Sequence, residues 1–218
     1  MFMIKIYYSR FFCLSLFLLI TFVGWAQSDD FTSWTKLNAK HKIDSRFAVS
    51  GNLEFRTKDD MSRIDRLGIA VGGDYRVSSY LRLETGYEMH YRNRGESEWK
   101  FRYRYQIGAS TSLQYQNWKF SLRERFQQTF DQGSTSSRLR SRLKIAYAPA
   151  KGIVSPYFSA ELYQSIGGAS FWSIARMRYR SGLEVELSKK WMLDLYYCRQ
   201  YEPAKSKNIV GLEVSYSF

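Results

Sequence analysis

Four short runs place a cation at every second position: Arg102 and Arg104; Arg123 and Arg125; Arg138, Arg140, Arg142 and Lys144; Arg176, Arg178 and Arg180. The last run continues into Glu184 and Glu186, and Glu54, Glu84, Glu88 and Glu161 stand in similar alternating contexts. A guanidinium presents five donors in a planar fork that fits a carboxylate or another oxyanion two bonds at a time. Two kinds of chemistry follow. Arginines matched to these carboxylates would brace an interior and plug it, whereas arginines left over would line a path for small anions. A third, catalytic use centres on His90, which shares a face with Glu88 and has Ser97 in the next loop: a base, a group to orient it and a hydroxyl nucleophile. Glu184 and Glu186 share a face too, but they alternate with arginines and read as salt-bridge partners. No spacing suits a metal ion and no phosphate-binding loop is present, so neither metal nor cofactor is expected.

The element that must position these side chains is a strand. In Trp99 to Ser112 (WKFRYRYQIGASTS), Trp99, Phe101, Tyr103, Tyr105, Ile107 and Ala109 fall on one face, and Lys100, Arg102, Arg104, Gln106, Gly108 and Ser110 on the other. That is period two, not helical. The pattern recurs along nearly the whole chain, with little helical sequence left to cover the aromatic face. A closed antiparallel barrel with lipid outside and a polar interior accounts for both faces. On this reading fifteen cations and nine acids point inward, a surplus of positive charge along a narrow lumen.

Residues 1–26 read as a secretory signal peptide: Lys5 and Arg10, an apolar run from Phe11 to Val23, and the small residues Gly24 and Ala26 before a cleavage point at Gln27. Residues 27–218 then form one domain, in which no stretch could span a membrane as a helix. Only Cys198 remains there, so an internal disulfide is excluded. The formal charge of +13 loses two with Lys5 and Arg10, leaving +11. Such a balance often marks nucleic-acid binding, but an export signal removes the chain from that ligand, and no nucleic-acid partner is expected.

Eleven strands of about ten residues can be counted, the length of tilted transmembrane strands. Polar connections (TKDDMSR, NRGESE, DQGSTSS, SIGGASFWS, EPAKSK) alternate with short turns, as outer loops alternate with periplasmic turns. Bacterial single-chain barrels have even strand numbers, so the count is expected to be ten or twelve. Asp29 to Ile43 is the least regular segment, its apolar face interrupted by His41. Glu124 also breaks the pattern, falling on an apolar face. Trp99, Trp118 and Trp191 lie near strand ends, where aromatics form interface girdles. In the last strand Val214, Tyr216 and Phe218 share one face.

The leader, the alternating strands and the terminal Tyr216-Ser-Phe218 resemble Gram-negative outer-membrane barrels. That resemblance implies an outer-membrane location, a lipid surround, and insertion by the barrel-assembly machinery reading Val214, Tyr216 and Phe218. Within that class, Trp34 and the segments RERFQQ, SRLRSRLKIAY, PYFSAELY and MRYRSGLEVEL resemble the uncharacterised family domain of unknown function 2490, which implies fold and location but no activity. The expectation is thus an all-β, antiparallel transmembrane β-barrel of 10–12 strands with an Arg/Glu-rich interior acting as a structural plug. Its alternatives are a narrow passage for a small anionic solute, a secreted soluble β-sandwich binding an acidic partner, and a membrane-embedded lipid-modifying enzyme using His90.

Overall fold

The computed structural model describes residues 29–95, 98–150, 152–167 and 172–218. The segment read as a signal peptide lies outside them, and so does Ser97. Eleven strands follow one another: β1 (Asp30–Lys42), β2 (Phe47–Lys58), β3 (Arg63–Arg76), β4 (Leu81–Asn93), β5 (Trp99–Tyr115), β6 (Trp118–Asp131), β7 (Ser134–Tyr147), β8 (Val154–Ile166), β9 (Ile174–Glu186), β10 (Trp191–Glu202) and β11 (Lys205–Ser217). Each pairs antiparallel with the next, and the sheet closes on itself.

Closure corrects the expected parity. In an up-and-down meander with an odd number of strands, the first and last run in the same direction. Accordingly β1 and β11 pair in parallel, from Asp30 opposite Lys207 to Lys40 opposite Ser217. The irregular first segment is therefore a full barrel strand and one side of the seam. The seam is pinned at its end, where the Phe218 N–H donates to the Lys40 carbonyl at 2.9 Å and the Phe218 ring meets Tyr216 edge-on at 4.7 Å.

The barrel is apolar outside and polar inside. Val71 and Ile107 on the outer face are each 60% exposed, whereas inward Arg66 and Arg178 are 8% and 7% exposed. A soluble sandwich would bury the first pair and expose the second, so that alternative is set aside: the chain is a membrane β-barrel. Closure also leaves no unpaired edge, which hydrocarbon would not tolerate.

The strands run to 12–17 residues, longer than the apolar belt requires. Much of what the sequence suggests as long polar loops is ladder. DQGSTSS leaves only Gln132 and Gly133 outside the strands, and EPAKSK leaves only Pro203 and Ala204. Polar residues prolong a hairpin as well as apolar ones once it rises out of lipid, because the cross-strand backbone bonds are the same. Gln132 (φ 50°) and Gly133 (φ 79°) both take the left-handed conformation that a two-residue hairpin matched to strand twist requires. At the opposite end, Asp44 turns β1 into β2 by accepting the N–H groups of Arg46 and Phe47 at 2.6 and 2.7 Å. Those two donors hold its carboxyl below the ordinary aspartate value.

Outward aromatics gather at both ends. Trp118 packs edge-on against Tyr147 at 5.2 Å, and Trp191 lies 4.7 Å from Tyr216, both at the Asp44 end. Trp99 stacks on Tyr91 at 5.0 Å at the other end.

Candidate functional site: the charged barrel interior

Inward side chains sit in rows that run around the barrel along the ladder. One row reads Arg123, Arg142, Glu161, Arg178 and Gln200 on β6 to β10. The row beside it reads Glu84, Gly108, Arg125, Arg140, Tyr163 and Arg176 on β4 to β9. Alternation on five or six neighbouring strands thus brings the arginine runs of the sequence into one cluster.

Glu161 is its centre. Oε1 accepts Arg140 Nε at 2.7 Å, Oε2 accepts the Tyr163 hydroxyl at 2.8 Å, Arg178 stands 3.5 Å away, and Arg123 stands 4.0 Å away. One carboxylate thereby serves several guanidinium groups, and Arg178 is further fixed by donating to Gln200 at 2.7 Å. Toward β2–β5, Arg125 reaches Glu84 at 2.8 Å and Arg104 reaches Glu88 at 3.0 Å. Glu54 takes Arg56 at 2.5 Å and Arg66 at 3.0 Å. On the far side Lys144 pairs with Glu184 at 2.5 Å, and Arg180 with Glu213 at 3.3 Å. Arg176 pairs with Glu202 at 2.8 Å, and Arg102 stands 3.6 Å from Asp131. Arg138 lines the interior without a carboxylate partner among the described residues. Glu186 is the one predicted network member that falls outside. It is the last residue of β9 and exposed, because the inward face at that level already opens to water.

His90 is buried, with Nε2 3.5 Å from Glu88 and 3.7 Å from Glu54. It joins this charge cluster, and among the described residues no hydroxyl bonds to it. Glu124 does face outward, where its Oε2 accepts the Ser141 hydroxyl of the neighbouring strand at 2.6 Å. A local partner accommodates it.

The interior is lopsided. On the β7–β11–β1 side, Trp34, Ala146, Tyr157, Tyr196, Cys198 and Ile209 pack into a buried cluster, dry at Cys198 and Ile209 and bordered by the polar interior at Trp34 and Tyr196. Aromatic rings there lie beneath cations: Arg56 is 3.5 Å from the Trp34 ring centre and Arg180 3.7 Å from that of Tyr196. The Tyr157 hydroxyl donates to Asp194 at 2.8 Å. These inward aromatics are missing from the sequence-based site. The signal that could have found them is glycine. Gly182 and Gly211 stand beside Tyr157 and Tyr196 in the ladder, leaving room for the rings.

On the β2–β6 side, by contrast, the small residues Ser50, Ala70, Gly72 and Gly86 border a cavity of about 800 Å³. It extends from Asp59, Arg94 and Asp131 at one end to Asn38 and Asp74 near the other, where Lys40 forms an ion pair with Asp74. Eighteen cations and ten carboxylates line it.

Cys198, the only cysteine beyond residue 26, is fully enclosed in the dry half. The folded barrel is therefore expected to resist a water-soluble maleimide for hours, and the boiled protein to react within minutes, as read by mass spectrometry.

A protein-family model described as protein of unknown function (DUF2490) matches residues 31–210. Among solved structures, the fold is similar to the translocator domain of the autotransporter NalP from Neisseria meningitidis, at 13% identity and a TM-score of 0.53, covering 81% of this chain and 77% of that one. It is also similar to the KdgM porin, at 18% identity and a TM-score of 0.50, covering 87% and 98%. At such identities the likeness is one of fold. No curated protein matches the sequence.

Proposed function

We propose, on the premise that the chain belongs to the DUF2490 family, whose description assigns no activity, that it is an integral outer-membrane barrel whose Arg/Glu network braces and constricts the interior. The observation that carries this reading is the Glu161 cage, in which one buried carboxylate ties the neighbouring strands β7, β8 and β9 together on the inner wall and fills that part of the lumen with fixed charge. A wall brace of charge-assisted bonds in a low-dielectric setting resists displacement by a passing solute. Outer-membrane placement is supported by the leader-like first 26 residues together with the lipid-facing belt. Insertion by the barrel-assembly machinery, reading the Val214, Tyr216 and Phe218 face, belongs to the same proposal. So does the assignment of no enzymatic activity: the similar solved structures are a porin and a translocator, and His90 is engaged by carboxylates.

A second reading, a narrow anion-preferring passage, is favoured by the cation surplus around the cavity. The refolded protein in a planar bilayer separates the two, with a gel-mobility shift on boiling as the folding check. The brace predicts a heat-modifiable form without resolved current. Small anion-selective steps would replace it with the passage, and large unselective steps would overturn both.

A further inference from the structure

Within the cluster, Arg123 and Arg125 of β6 lie directly opposite Arg142 and Arg140 of β7, so four arginines form a square on the inner wall. Like charges facing each other across a ladder are unfavourable, and in a protein interior more so than in water. One edge of the square is compensated: Arg125 holds Glu84 at 2.8 Å and Arg140 holds Glu161 at 2.7 Å. The other edge is compensated only at longer range. Arg123 comes no nearer to a carboxylate than 4.0 Å. Arg142 stands opposite Glu161 in the ladder, yet among the described residues no carboxylate lies within 4.0 Å of its guanidinium, because Arg140, Arg178 and Tyr163 already engage that carboxylate. Both side chains face the cavity. On β5, the partners of Arg125 and Arg123 are the small residues Gly108 and Ser110, and the longer Gln106 accepts from Arg125 at 3.0 Å on the compensated edge.

We infer that the Arg123–Arg142 edge is a binding site for a small oxyanion: a phosphate, sulfate or carboxylate group entering from the cavity. Two guanidinium forks side by side, without a protein carboxylate between them, supply convergent N–H donors and the charge that such a group requires. The paired edge keeps the forks in place, since Arg125 and Arg140 are anchored and crowd the free pair from one side only. Chloride is a poorer match, because a single sphere lacks the spaced oxygens that accept the two parallel bonds of each fork. The inference rests on the proposed barrel only in needing a solvent-reached interior; it does not depend on whether the interior conducts.

The test is calorimetric titration of inorganic phosphate into the full-length barrel, refolded in a phosphate-free detergent at constant ionic strength set with chloride. One saturable site per chain is expected, weakened at least tenfold in Arg142→Gln. Lys100→Gln, which removes one charge at the barrel rim where Lys100 pairs with Glu98, is expected to leave it unchanged. Absence of saturable binding, or equal losses in both variants, would overturn the site. Should Arg142→Gln fail the gel-mobility check, Arg142→Lys keeps the charge and removes the fork. It is expected to fold and to bind several-fold more weakly, and undiminished binding there would also overturn the site. Competition by a phospholipid bicelle would identify the oxyanion as a headgroup, and its failure would identify a free solute. These outcomes are separate from conductance, so a conducting barrel with a phosphate site sinks the brace and keeps the inference.

Discussion

Replacing Glu161 by glutamine is expected to cost about 3–5 kcal/mol of barrel stability, the range for removing one partner from a buried ion pair. The change keeps volume and shape and removes one negative charge. Arg140 and Arg178, which now share that carboxylate, would face each other and Arg123 without the negative charge between them. The amide oxygen could serve one of these donors and Arg178 would keep Gln200, but the charge would go uncompensated. The measurement is the urea midpoint of the heat-modifiable form, read beside Glu186→Gln. That second variant removes the same charge from the exposed end of β9 and is expected to stay within about 0.5 kcal/mol of the parent. Equal shifts would mean that Glu161 acts only through net charge and that the cage braces nothing. Whatever fraction of Glu161→Gln folds is expected to pass anions more readily than the parent in a bilayer, since the removed group is the negative centre of a cationic wall.

The network was legible in the sequence because β-alternation is a strict code. Once Trp99 to Ser112 is read with its aromatics outward, every arginine in the neighbouring runs has its face decided. Turn length then sets the register, and the two-residue turn at Gln132 and Gly133 brings Arg123 opposite Arg142 in the row that Glu161 continues. What alternation does not carry is the level of each residue along the barrel axis. Glu184 and Glu186 share a face, but two residues along a strand separate a partner of Lys144 from a residue at the rim. Nor does it carry strand parity. The first segment looked irregular because His41 falls on its apolar side, where the structure sets it 6.0 Å from the Phe218 ring at the parallel seam. Pairing between β1 and β11 joins residues 177 apart, as in the Asn38–Ser215 bond, and no local pattern announces a contact at that distance. The dry half was hidden for another reason: Trp34, Tyr157 and Tyr196 carry the same aromatic chemistry as the lipid face, and only their parity distinguishes them.

Gly211→Ala tests that dry half directly and is expected to be the most damaging single methyl in the chain. Gly211 lies in the ladder between Trp34 and Tyr196, and a Cβ built there would fall inside the Tyr196 ring. The ring is closely held. It is 5% exposed, and the Arg180 guanidinium sits 3.7 Å from its centre. Beside it, Gly182 faces the Tyr157 ring less tightly, an added Cβ standing 2.8 Å from the nearest ring carbon. Overfilling a packed interior costs about 1–3 kcal/mol when neighbours can shift, and here they are held from several sides, so the upper end of that range is expected. The cause can be isolated by pairing the substitution with Tyr196→Leu, which removes the ring and its hydroxyl. Tyr196→Leu alone is destabilising through the cavity it leaves, but the double variant is expected to be more stable than the sum of the two losses by about 1–3 kcal/mol, the coupling typical of residues in contact. Tyr196→Phe, which keeps the ring, should give no such recovery. Strict additivity in the urea midpoints would show that Gly211 is needed for its backbone rather than for the space it leaves. The ring-over-glycine packing would then lose its place as the reason this side of the barrel is filled while the other holds a cavity.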